Sequence, residues 1–150
     1  MANQAQQQLI AHRRKARHYA LQALYQWHMA GASPSAIEAE FRTDYDFDVV
    51  DLEFFQAIVH GVAGNAEELD GLFEPLLDRK LAELDPIERS LLRMGTYELR
   101  ERIDVPYRVV INEGVALAKR FGASESFRYI NGVLDRLAAQ LRSAEVSAAR

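Results

Sequence analysis

The sequence predicts an all-α protein, a compact bundle of about six to seven helices. Three observations lead there. Apolar residues recur at helical spacing, as in Ala20, Ala23, Leu24 and Trp27, and again in Phe127, Ile130, Leu134, Leu137 and Leu141. Helix start and stop residues punctuate the chain between such stripes. No stretch alternates apolar and polar residues in the manner of a half-buried strand.

The first helix is expected over about residues 10–30, closed by Gly31, which suits the left-handed position that ends many helices. Ser33-Pro34 supplies a cap and a first-turn proline for a short helix through Phe41. The acidic TDYDFD stretch reads as a loop. From about Asp51 to Leu84 the chain reads as largely helical, weakened at Gly61 and Gly64. Asp85-Pro86-Ile87-Glu88 marks a new start: Asp85 caps, Pro86 fits the first turn, and Glu88 holds the capping-box position. That helix should run to about Arg102. Asp104-Val105-Pro106 opens the next, which carries Tyr107, Val110, Ile111, Gly114 and Ala118 on one face and stops at Gly122. Ser124 is placed to cap the last long helix. The length favours a single domain, 1–150, with residues 1–9 and 143–150 flexible because no apolar stripe ties them down.

Composition narrows the function. No apolar run approaches the roughly 18 residues that cross a bilayer. MANQAQQQLIAHRRK lacks the apolar core of a signal peptide, so a cytoplasmic protein is expected. With no cysteine there is neither disulfide nor thiolate metal site. His12, His18, His28 and His60 show no ligand spacing, and GVAG at 61–64 lacks the context of a phosphate loop. No serine sits in a nucleophile elbow. We therefore expect no metal, no cofactor and no catalysis.

The charge is uneven. Arg13, Arg14, Lys15 and Arg17 crowd into five positions of a chain whose net charge is −4, whereas residues 38–53 are strongly acidic. Cations at a helix start oppose the macrodipole. They also fan around the helix, so they cannot all serve one salt-bridged stripe. A polyanionic ligand accounts for both features better than a solvated face does.

RRKARHYALQALYQW, together with LRMGTYELRERIDVPYRVVINEGVALAKRFGASESFRYINGVLDRLA, resembles the NusB family of bacterial transcription antitermination factors over about residues 12–140. The resemblance implies a small all-helical RNA-binding protein. Its ligand would be boxA, a single-stranded RNA element, bound together with ribosomal protein NusE. With NusA and NusG, the assembly would make RNA polymerase resist termination, notably in ribosomal RNA operons. Carried over by position, the family's basic helix start matches Arg13, Arg14, Lys15 and Arg17, and its acidic and aromatic RNA-surface residues match Glu125 and Tyr129. The aromatic is commonly phenylalanine; tyrosine retains a ring on which a base can stack. Tyr25 and Glu88 match positions implied in the NusE contact. The resemblance leaves monomer or homodimer open.

Glu88 also has a local reason to exist, as a cap, and Tyr129 adjoins the core residue Ile130. Tyr25 lies off the apolar stripe. Asn112 and Asn131 are expected as buried or inter-helix amides rather than RNA readers, and Lys119 and Arg120 as ordinary helix C-terminal cations. Four cations imply a salt slope near −3, at about −0.7 per phosphate. Two rivals stand beside this reading. An RNA methyltransferase would need a cofactor domain for which this length leaves no room. A helical adaptor that binds only protein would ignore boxA-like RNA.

Overall fold

The structure, a computed structural model, describes residues 3–149. Among them it contains eight α-helices, three short 3-10 turns and no strand, so the all-α expectation holds. The chain forms two compact units, one up to Gly64 and one from Asn65 onward.

The first unit comprises α1 (Gln4–Ala30), α2 (Pro34–Asp44) and α3 (Leu52–Gly64). Helix α1 begins well before the first apolar stripe because Asn3 caps it. The Asn3 side chain accepts the Gln6 N–H at 2.8 Å, and the Gln6 side chain accepts the Asn3 N–H at 3.1 Å. It ends where Gly31 takes φ 74° and donates its N–H to the Trp27 carbonyl. Ala16, Ala20 and Ala23 are fully covered, and such small side chains let helix backbones approach closely. The core of this unit is Leu21 and Leu24 of α1, Ile37 and Phe41 of α2, and Phe54, Phe55, Ile58, Val59 and Val62 of α3. Ser33 caps α2 as expected, accepting the Ala36 N–H at 3.1 Å. Asp51 caps α3 by accepting the Phe54 N–H at 3.0 Å.

The second unit holds α4 (Ala66–Phe73), α5 (Pro86–Glu101), α6 (Tyr107–Phe121), α7 (Ser126–Leu141) and the short α8 (Ser143–Ala148). The helical expectation for 51–84 needs two corrections. It breaks at Gly64–Asn65, and residues 74–85 are not α-helical. Pro75 lacks the N–H that would continue α4, so the chain tightens into a 3-10 turn at Glu74–Leu76 and a second at Leu81–Glu83. At α5, Asp85 accepts the Glu88 N–H at 2.8 Å, with Pro86 in the first turn. Gly95 is required by packing: a Cβ there would lie 2.6 Å from Leu134 Cδ2. At α7 the expected cap is displaced. Glu125, in the left-handed region at φ 74°, precedes the helix in place of Ser124.

The expected flexible ends fall partly on residues 1, 2 and 150, outside the described residues; residues 4–9 and 143–148 are helical. Val146 of α8 is buried. Arg142 gathers four carbonyls from the end of α5 and the turn that follows, donating to Leu99 at 2.6 Å, Arg102 at 2.9 Å, Val105 at 3.0 Å and Glu98 at 3.2 Å; of these, Glu98 and Arg102 also accept backbone N–H groups. Glu145 accepts the Tyr107 N–H at the start of α6 at 2.9 Å. That bond, with the Arg142 guanidinium and against some burial, holds the Glu145 carboxyl below its ordinary value.

Candidate nucleic-acid interface

In the first unit the basic run occupies the third and fourth turns of α1, not its start. The macrodipole penalty inferred from sequence therefore does not apply, because that effect fades within the first turn. The four cations differ in environment. Arg14 and Lys15 are exposed. Arg13 donates Nε to Asp51 at 3.3 Å, both side chains being mostly covered, and its guanidinium lies 4.6 Å from the Phe54 ring centroid. Arg17 is only 4% exposed and rests on the same ring at 4.7 Å. Arg13 and Arg17 thus take part in the α1–α3 packing through the Phe54 ring, with stems covered as long cations allow. Tyr25 is 38% exposed. It shares the face of Arg14, eleven residues on, roughly 16 Å along the helix axis at 1.5 Å per residue.

Beside Lys15 lies an aromatic cluster that sequence reasoning did not single out. The Lys15 ammonium is 5.8 Å from the Tyr19 ring, which stacks on Phe47 at 5.7 Å and meets Tyr45 at 4.7 Å. Tyr45 is 43% exposed, within the acidic loop.

In the second unit, Glu88 and Tyr129 come together through Arg79, a residue absent from the sequence-derived set. The Arg79 guanidinium lies 4.1 Å over the Tyr129 ring, and its Nη1 is 4.0 Å from Glu88 Oε1. Arg79 Nε also donates to Asp78 at 2.8 Å, which holds that carboxyl below its ordinary value. The Asp78 N–H donates to the Tyr129 hydroxyl at 3.4 Å. Burial, partly offset by that N–H, pushes the Tyr129 phenol above its ordinary value. Its ring is therefore neutral and has one face under a cation. Glu88 is 7% exposed and accepts the Ser126 hydroxyl at 3.0 Å, so its carboxylate ties α5 to α7 instead of closing the capping box. Glu125 is exposed and pairs with Arg128. Only the charged triplet Asp78-Arg79-Lys80, set between Leu77 and Leu81, signals Arg79 in the sequence.

Lys119 and Arg120 sit in the last turn of α6, as expected, over Phe127 and Phe121 respectively. Asn112 and Asn131 depart from expectation: both are exposed, on α6 and α7. Among the described residues no three His, Asp or Glu side chains are grouped to hold a metal, and no helix is long and apolar enough to cross a membrane.

Residues 14–139 match the model of the NusB family. The transcription antitermination protein NusB of Hahella chejuensis is 59% identical over 138 residues, spanning 92% of this chain and 93% of that protein. The protein of the same name from Alcanivorax borkumensis is 58% identical, spanning 92% of both. A solved structure of T. maritima NusB superposes with a TM-score of 0.75 at 30% identity, covering 85% of this chain and 90% of that one.

Proposed function

The chain belongs to the NusB family, and from that premise we propose that it is an RNA-binding transcription antitermination factor of the cytoplasm that catalyses no reaction. In this reading residues 1–150 act as one RNA-binding domain. They take boxA-type single-stranded RNA together with NusE and join NusA, NusG and RNA polymerase in a complex that resists termination.

The observation that carries the proposal is the exposed pair Arg14–Lys15 on a helix of a net-negative chain. Arg14 and Lys15 meet phosphates. Arg13 and Arg17, seated on Phe54, hold the helix that presents them. Phosphate contacts fix register but carry little sequence information. Specificity then falls to unstacked bases meeting aromatic and polar groups, as is general for single-stranded RNA; Tyr129 and Glu125 take that role. Tyr25 and Glu88 serve the NusE contact, Glu88 by fixing α5 against α7 through Ser126. A homodimer formed through the Arg14–Lys15 face would compete with RNA.

A gel-shift series tests this: boxA-like and scrambled RNA, each with and without NusE. The expected result is tighter binding of boxA-like RNA, further strengthened by NusE. Binding of NusE with no shift of either RNA would favour the adaptor reading.

A further inference from the structure

Helices α6 and α7 run antiparallel, joined by a connection of a few residues, and between them opens a polar cleft of about 460 Å³. Arg108 and Asn112, one turn apart on α6, form one wall; Asn131 and Asp135, one turn apart on α7, form the other. Tyr107 and Ile111, both buried, make the floor. The antiparallel register sets Arg108 opposite Asp135 and Asn112 opposite Asn131.

The four polar side chains of the cleft are exposed and open to a ligand. The Arg108 guanidinium is turned toward Tyr107, donating Nε to its hydroxyl at 3.1 Å, with Nη2 at 3.4 Å from the Ala149 carbonyl. It has donors to spare. The side chains of Asn112, Asn131 and Asp135 are exposed and, among the described residues, make no hydrogen bond or ion pair to Arg108 or to one another. A cation and an anion thus stand on opposite walls with two amides one turn further along, a pattern suited to a flat ligand with acceptors on one edge and donors on the other.

The geometry points to a guanine-reading subsite for single-stranded RNA. Guanine presents O6 and N7 acceptors on one side, suited to a guanidinium. Its N1–H and N2–H₂ form an adjacent donor pair, suited to a carboxylate. Adenine and uracil lack that donor pair, and cytosine offers Asp135 its N4 amino group alone. Splayed bases of single-stranded RNA expose both edges for such contacts. Asp135 therefore accepts from N1–H and N2–H₂, Arg108 donates to N7 or O6, and Asn112 and Asn131 complete the ring of partners. The subsite rests on the RNA-binding reading above and adds to it the identity of one base.

The test is a thermodynamic cycle on the full chain. A short oligouridylate carrying one guanosine is compared with the same oligomer carrying inosine or adenosine there. Each is titrated against wild type, Asp135→Asn and Arg14→Ala/Lys15→Ala. Inosine lacks only the N2 amino group. Wild type is expected to prefer guanosine by about tenfold over both replacements, the range for a good bidentate base contact. Asp135→Asn is expected to abolish that preference while leaving the salt slope unchanged. Equal binding of all three oligomers overturns the subsite, and if Arg14→Ala/Lys15→Ala then weakens all three alike, RNA binding itself stands. A guanosine preference that survives Asp135→Asn also overturns it, because the base is then read elsewhere. If no oligomer binds at low salt, both readings fall together. Asp135 is exposed, so its variant folds; the ligand-side swap to inosine needs no variant.

Discussion

Arg79 stacks its guanidinium 4.1 Å over the ring of Tyr129 while reaching to 4.0 Å from Glu88. One loop cation thereby couples a residue assigned to RNA and a residue assigned to the protein partner, so their effects will not be independent. The ring is what matters for stacking. Tyr129→Ala is expected to weaken boxA-like RNA binding by about 1–3 kcal/mol. Tyr129→Phe keeps the ring and loses only the hydroxyl's hydrogen bonds with the Asp78 N–H and side chain, so its affinity should change less than about threefold. Fluorescence anisotropy with labelled RNA distinguishes the two, and equal losses would remove ring stacking as the contact.

The basic run separates by exposure. Arg14→Ala/Lys15→Ala should flatten the salt dependence of RNA binding by about 1.4, at roughly 0.7 per phosphate, with the melting temperature nearly unchanged. Arg17→Ala should do the opposite, lowering stability through lost packing on Phe54 while leaving the slope almost intact. Binding titrations from low to moderate salt, paired with thermal melts, read both quantities. A full slope contribution from Arg17 would contradict its 4% exposure.

Glu38 is the acid-sensitive link of the first unit. Burial raises its carboxyl, but hydrogen bonds from Gln56 at 2.9 Å and Arg42 at 3.2 Å, with His60 Nε2 at 2.6 Å, outweigh burial and hold it below its ordinary value of 4.5. A depressed carboxyl stabilises the fold above its unfolded value, and that stabilisation is lost as pH falls through the folded value. Glu38→Gln should therefore be less stable than wild type at neutral pH by about 1–2 kcal/mol. The gap should narrow as pH falls below that ordinary value of 4.5, as urea titrations at several pH values would record.

Asp70 is a buried hub in the second unit. It accepts Arg93 Nε and Nη2 at 2.8 Å each and Arg89 Nη2 at 3.0 Å, joining α4 to α5. Asp70→Ala leaves Arg93, 5% exposed, without this counter-charge and should cost about 3–5 kcal/mol. Asp70→Leu with Arg93→Met should recover most of that loss, because a well-packed apolar pair often matches a buried ion pair. Denaturant midpoints decide it; a double variant as unstable as Asp70→Ala would mean that the network does more than neutralise itself.

Sequence patterns reveal this fold where side chains act locally. Ser33, Asp85 and Gly31 cap or close helices through neighbours within a few residues, and each does what its type and position imply. Patterns fail where the partner is distant or the segment lacks an apolar stripe. Asn3 starts α1 ahead of any apolar periodicity, and α8 is secured by one buried valine and by Arg142. Arg17 looks like its neighbours in the sequence, because nothing local reveals that Phe54 lies beneath it. The site shows the same division. The basic run was legible as a patch, but its separation into exposed and seated cations required the α3 ring, and Arg79 entered only through its contact with Tyr129.

Arg142 also has a consequence for the order in which the second unit is completed. During synthesis α5 leaves the ribosome first, with the carbonyls of Leu99 and Val105 still without the guanidinium that later joins them. Their common donor arrives only after α6 and α7 have been added. The second unit therefore closes late in translation, and the first, whose helices are all upstream, can form while the rest of the polypeptide is still being made.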